Sequence, residues 1–364
     1  MHIPDGYLSP ATCAVTYAAA MPFWAVAFRR VERLLHTRLV PLLALVSAFC
    51  FVIMMFNLPL PGGTTGHAVG VGIAAIVLGP WASMIAVSVA LLIQAVFFGD
   101  GGITTFGANC FNMAIAGSLV AYGTYAVLSG RSAVGSPRRV VAAGLAGYLA
   151  INAAALLAAI EFGVQPMLFH DATGAPLYAP YPLSIAIPAM LIGHLSFAGL
   201  AELVITGGLV AYLQKANPEL LQGSPSGAAA AASRPLQLAA NPWNATRKLW
   251  LGLAGLMILT PLGLLAAGIG WGEWSVAELK DPATREQILH ASGNVAPPET
   301  APHGLERLSG LWTAPFPDYV PGFLHSETIG YILSAIMGAG LILLAFLVIS
   351  AVMSRRHAIE PGAR

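Results

Sequence analysis

Apolar runs of about 20 residues recur from one end of this chain to the other, each long enough to cross the hydrocarbon core of a bilayer as a helix. They fall at 11–28, 39–57, 68–79 followed by 81–98, 106–129, 139–160, 183–213, 248–270 and 328–353. In lipid every backbone N–H and C=O must be satisfied within the protein, so spanning runs of this length form helices. The expected fold is all-α and polytopic. Only 9% of the 364 residues are charged, against about 25% in a soluble domain. A net charge of +1 gives no electrostatic reason for a nucleic-acid partner. Cys13, Cys50 and Cys110 lie in apolar runs without metal-ligand or disulfide spacing and read as buried, inert thiols.

Basic residues set the orientation, because they concentrate on the cytoplasmic side. Arg29, Arg30, Arg33 and Arg38 follow the first run, and Arg131, Arg138 and Arg139 lie between 106–129 and 139–160. Lys215, Arg234, Arg247 and Lys248 separate 183–213 from the following run, and Arg355 and Arg356 follow the last. Placing all four clusters inside puts the N-terminus outside and the C-terminus in the cytoplasm. That rule holds only if 68–98 is two segments broken at Gly79-Pro80, since proline stops a helix at the residue before it. About seven segments then precede residue 215 and two follow it.

The chain divides into a membrane module over 1–222, a cytoplasmic linker over 223–247 and a two-span module over 248–364 with an outer loop at 271–327. The linker contains a low-complexity stretch ending at Asn241-Pro242. The loop and its edge carry eight acids: Glu273, Glu278, Asp281, Glu286, Glu299, Glu306, Asp318 and Glu327. Asp281-Pro282 reads as the start of a short helix over 282–291, with Gly293 as its C-cap.

The chemistry lies at the start of the chain, Met1-His2-Ile3-Pro4-Asp5-Gly6. No Lys or Arg precedes the first apolar run, so no cleaved signal peptide is expected, and a bulky second residue argues against loss of Met1. The amine of Met1, the backbone nitrogen of His2 and an imidazole nitrogen of His2 form two fused chelate rings in one plane. Planar nitrogen ligation suits Ni(II) or Cu(II) better than tetrahedral Zn(II). A fourth nitrogen belongs on the same membrane face, and His67 in Pro61-Gly62-Gly63-Thr64-Thr65-Gly66-His67 is the candidate. Asp5 and Asn109 are candidates to support the ligands from behind, since a metal-bound histidine donates its other nitrogen to a carboxylate or carbonyl.

Met1-His2-Ile3-Pro4-Asp5-Gly6-Tyr7-Leu8-Ser9 resembles the start of the CbiM/NikM family, the substrate-binding S components of energy-coupling factor transporters for cobalt and nickel. Pro61-Gly62-Gly63-Thr64-Thr65-Gly66-His67 resembles that family's second metal motif, and the likeness extends to about residue 215. It implies that the N-terminal amine, His2 and His67 hold Ni(2+) or Co(2+) as transported substrate, with no enzyme activity in this chain. It implies a bacterial inner-membrane protein partnered by a transmembrane coupling (T) subunit and two ATPase subunits. The module over 248–353 resembles the small NikN partner fused on; Pro302-His303-Gly304-Leu305-Glu306 is similar to its PDGLE motif, with His303 in place of Asp.

Asn57, Gln94, Asn109, Asn112, Asn152, His194 and Glu202 interrupt or border apolar runs and are expected to bond between helices. Ala14/Ala18, Ala146/Ala150 and Ala150/Ala154 have the spacing that lets helices approach closely; in the family such faces are implied to meet the coupling subunit. His170, His290, His303 and His325 are expected as solvated loop residues, and the acidic loop as a possible cover over the metal entrance. A phosphate loop is absent, because none of Lys215, Lys248 and Lys280 follows a glycine. The alternative is a secondary-type nickel/cobalt permease working without an ATPase, but the His-x4-Asp-His motif of such permeases is missing. So is the His-Glu-x-x-His of a metalloenzyme.

Overall fold

The computed structural model describes residues 1–35, 40–221 and 242–359. The stretch 223–241, including Arg234, and the basic residue Arg38 lie outside the described residues. The chain runs through α1 (Pro10–Leu35), α2 (Val40–Met54), α3 (Val71–Leu78), α4 (Pro80–Ile93), α5 (Phe106–Ser129), α6 (Pro137–Gly163) and α7 (Leu183–Ala216). After the linker come α8 (Pro242–Leu259), α9 (Pro282–Ala291), α10 (His303–Leu308) and α11 (Glu327–Ile359). Among the described residues 7 helices are long and apolar enough to cross a membrane: α1, α4, α5, α6, α7, α8 and α11. With the shorter α2 and α3 they make a multi-pass, all-α membrane protein.

The expected break at Gly79-Pro80 is present. Gly79 has φ 79°, a left-handed value that favours glycine, and Pro80 opens α4. The single run expected at 248–270 is different: its α-helix ends at Leu259 and a 3-10 turn covers Thr260–Leu265. Pro261 explains this, having no N–H to continue the helix. Helix α9 has Asp281 as N-cap, accepting from Thr284 N at 2.8 Å, but its C-cap is Ser292; Gly293 follows in the left-handed region at φ 65°.

Small residues act mainly inside the bundle. Ala146, Ala150 and Ala154 are buried within the chain, so the close approach expected from their spacing is made inside this bundle, and the contact with the coupling subunit that the resemblance implied does not use this seam. Beside it, a Cβ on Gly147 would lie 2.6 Å from Thr206 Oγ1, and one on Gly72 would lie 2.5 Å from the same atom; α3, α6 and α7 meet at glycine contact distance. Ala14 and Ala18 on α1, by contrast, are exposed.

Of the intramembrane polar residues, His194 and Asn152 bond to backbone within their own helices, whereas Glu202 and Asn112 bond across helices. His194 Nδ1 donates to Met190 O at 2.7 Å, one turn back, where the helix widens into a π segment over His194–Ala198. Asn152 Nδ2 donates to Tyr148 O at 2.8 Å. Glu202 is fully buried and accepts from the N–H groups of Val69, Gly70 and Gly72 at 2.8, 2.9 and 3.1 Å. It thereby satisfies the orphan donors at the start of α3. An interhelical side-chain bond of the expected kind does join Asn112 Nδ2 to Glu161 Oε2 at 2.7 Å.

Among the described residues the one sheet is a small hairpin, β1 (Leu58–Leu60) antiparallel to β2 (Thr64–Gly66), turned by Gly62 and Gly63 at φ 87° and 82°. It delivers His67 directly from its second strand. The loop after α8 lies against it: Thr65 N donates to Ile269 O at 3.1 Å, and Thr65 bridges Gly270 in parallel. An aromatic stack joins the two halves, with Phe98 on Tyr319 at 4.8 Å between ring centroids and Phe51 and Tyr331 beside them.

Candidate metal centre

The N-terminal segment is threaded into the protein: Met1, His2, Ile3, Asp5, Tyr7, Leu8 and Ser9 are all buried. Burying an irregular segment costs unless its polar groups find partners, and here they do. Asn109 clamps the backbone of Ile3 from both sides, accepting from its N–H at 2.8 Å and donating to its C=O at 3.1 Å. Gly102 N also donates to Ile3 O, at 2.9 Å. Asp5 accepts from Ile103 N at 3.1 Å and Thr104 N at 2.7 Å, and from the Thr104 hydroxyl. Tyr7 donates to Trp274 O at 2.6 Å. Gly6, at φ 89°, turns the segment where Leu305 packs against it.

This threading brings the two histidines together. The rings of His2 and His67 are 5.1 Å apart at 30°. His67 Nδ1 lies 3.0 Å from Ala68 O; a carbonyl only accepts, so Nδ1 carries the proton and Nε2 keeps its lone pair. Burial, reinforced by the nearby His2 and the N-terminal amine, pushes His67 down to about 3, so its imidazole is neutral. Neither ring nitrogen of the buried His2 has a hydrogen-bond partner. Two orphaned nitrogens in a site this enclosed call for an electrophile.

Two carboxylates complete the surroundings. The Met1 amine donates to Glu273 Oε1 at 2.6 Å. His2 Nδ1 is 2.9 Å from Asp100 Oδ1, close in distance but off the angle of a hydrogen bond. Asp100 is presented between Gly99 and Gly101, both left-handed at φ 71° and 83°, where α4 ends in a π segment over Gln94–Phe98. Its other oxygen accepts from Gln94 Nε2 at 3.2 Å and from the Tyr319 hydroxyl. Burial works against ionisation of Asp100, yet the adjacent His2 and His67 rings and the Tyr319 hydroxyl hold its carboxyl well below the usual range. A cavity of about 510 Å³ opens beside these groups, lined by His2, His67, Asp100, Glu273, Glu278 and Asp318 among others.

Among the described residues no three His, Cys, Asp or Glu side chains converge as a metal cage. A metal centre here would have to draw on backbone nitrogen as well, and the amine and amide beside His2 lie at this place. Met1, His2 and His67 are thus brought to one place. Asp5 and Asn109 are near but bond to peptide groups; they hold the N-terminal segment rather than a histidine ring. Asp100, Glu273 and Tyr319 were not singled out from sequence as parts of the centre. The available signal was Gly99-Asp100-Gly101-Gly102, an acid set among glycines at the end of an apolar run. His170 and His303 are exposed. Gly304 is packed tightly: its N–H donates to Leu177 O at 2.6 Å, and a Cβ there would lie 2.3 Å from the Tyr178 ring.

Residues 2–220 match the family model CbiM, cobalt uptake substrate-specific transmembrane region, and residues 246–355 match the PDGLE domain. The fused nickel transport protein NikMN of Rhodobacter capsulatus is 59% identical over 342 residues, 94% of this chain and 95% of that protein. The cobalt transport protein CbiM of Geobacter sulfurreducens is 37% identical over 224 residues, 61% of each chain. The crystal structure of a transition metal transporter superposes with a TM-score of 0.55 at 54% identity, covering 59% of this chain and 93% of that chain.

Proposed function

The chain belongs to the CbiM family and carries a PDGLE domain behind the CbiM region, and from that membership we propose that it captures nickel, with cobalt as the close second cargo, for an energy-coupling factor importer. Relatives named as nickel and cobalt transport proteins support the cargo. The cation is held by the Met1 amine, the backbone nitrogen and Nδ1 of His2, and Nε2 of His67. The amine and amide close a five-membered ring, the amide and imidazole a six-membered one, and His67 fills the fourth corner. Nickel suits this plane of nitrogens, which leaves no in-plane position for water. Neutral His67 offers a lone pair without first losing a proton.

The observation that carries this reading is the pair of unpartnered, buried His2 nitrogens beside a buried amine and a neutral imidazole. The two-module division and the outward N-terminus belong to the same proposal. So do the coupling subunit and two ATPase subunits, which supply the energy this chain lacks a phosphate loop to provide. The exposed Ala14/Ala18 face of α1 is available to the coupling subunit. The test is metal analysis of the purified full chain. The intact protein retains about one nickel, and His2→Ala and His67→Ala both lose it; retention by His67→Ala contradicts the centre. Uptake in cells persisting without the ATPase subunits favours a secondary permease instead.

A further inference from the structure

The nitrogen plane leaves open what sits above it, and Asp100 is placed to answer. Its Oδ1 lies 2.9 Å from His2 Nδ1 with no hydrogen bond along that line. A cation next to both atoms would take up the Nδ1 lone pair and the carboxylate charge together. Neighbouring donors at right angles around a metal, each about 2.0–2.1 Å from it, are about 2.9 Å apart. The spacing is that of two adjacent corners of one coordination sphere.

The carboxylate is also fixed where it stands. Its second oxygen is held by Gln94 Nε2 and the Tyr319 hydroxyl, and its backbone lies between two left-handed glycines. Tyr319 is itself locked, stacked on Phe98 at 4.8 Å and set in the left-handed region at φ 63°, a conformation a tyrosine adopts only when its surroundings impose it. A freely rotating acid would not need such support.

We propose that Asp100 supplies an oxygen to the captured cation from outside the nitrogen plane, and that Tyr319, from the PDGLE-matching part of the chain, sets the position of that oxygen. The inference rests on the nitrogen centre proposed above and adds its specificity. Nickel is satisfied by four planar nitrogens, whereas cobalt gains more from an added oxygen. Asp100 therefore narrows the gap between the two metals, and Tyr319 tunes how far.

The test uses the full chain with a free N-terminus, loaded with nickel or cobalt alone. X-ray absorption counts the light donor atoms, and competition titration gives the affinities. Wild type is expected to show five donors with cobalt, and Asp100→Ala four. Asp100→Ala is expected to lose about tenfold or more in cobalt affinity relative to nickel, the scale of a lost supporting group at a metal. Tyr319→Phe keeps the ring on Phe98 and shifts the ratio the same way by less; it carries the test if Asp100→Ala does not fold. An unchanged cobalt-to-nickel ratio, or equal losses for both metals, overturns the proposal. Failure of the nitrogen centre is separately visible as metal binding that survives His67→Ala.

Discussion

At the scale of single residues, Met1 is the unusual member of the proposed ligand set, and its amine is engaged by Glu273. That contact shields the amine as well as orienting it. In metal-free protein, Glu273→Gln is expected to raise labelling of the Met1 amine by an amine-reactive reagent several-fold, read by peptide mass mapping; equal labelling would show that the ion pair does not protect it. His67 makes a second prediction. The folded protein keeps it neutral down to about pH 3, whereas the unfolded chain protonates it near its ordinary value of 6.5. The unfolded state binds the extra proton in that window, so the His67 contribution to stability is full above about 6.5 and falls as the pH drops toward 3. The melting temperature of metal-free protein should fall between pH 7 and 4.5, and His67→Gln should make that fall shallower; the same slope in both refutes the assignment. That Met1, His2 and His67 come together was legible, because a terminal amine next to histidine is itself a chelate in search of a further nitrogen; that they hold a metal is the proposal. Asp100 and Tyr319 were not legible: their pairing joins positions 219 apart in sequence, and no local pattern encodes it.

At the scale of elements, the His67 loop is held by a carboxylate far away in sequence. Glu202 on α7 collects three backbone N–H groups just after His67. Such a cap is worth much at membrane depth, where water cannot replace it. Glu202→Ala should cost about 3 kcal/mol or more and speed nickel release, measured by thermal unfolding and chelator chase; unchanged release would detach the loop from the centre. Gly72→Ala should cost about 1–3 kcal/mol through overpacking, because its Cβ meets Thr206 Oγ1 at 2.5 Å and Gly147 Cα at 2.8 Å. Helix breaks at Gly79-Pro80 and Asp281-Pro282 were readable, since proline and left-handed glycine act locally. The β1–β2 hairpin and the π segments were not. A π turn arises from how neighbouring helices pack, and the hairpin is only three residues a strand, too short for a periodic signal.

At the scale of the whole molecule, the residues after 246 close over the centre. Glu273 reaches the amine, Tyr319 reaches Asp100, and Leu305 packs on the Gly6 turn. The membrane character was legible from apolar run length, and the segment count from run length together with the basic clusters and the Gly79-Pro80 break, but this closure was visible only as an acidic loop on the expected outer face. Truncation after residue 245 should expose the N-terminal segment to protease and speed metal exchange; unchanged exchange would reduce the closure to a passive contact. The account as a whole turns on a backbone amine serving as a metal ligand. The most direct measurement is nickel affinity of the full chain with its Met1 amine free against the same chain with that amine acetylated. The first should bind nickel tightly and one-to-one and the second not at all; equal affinity in the two would rule out the Met1 amine as a ligand.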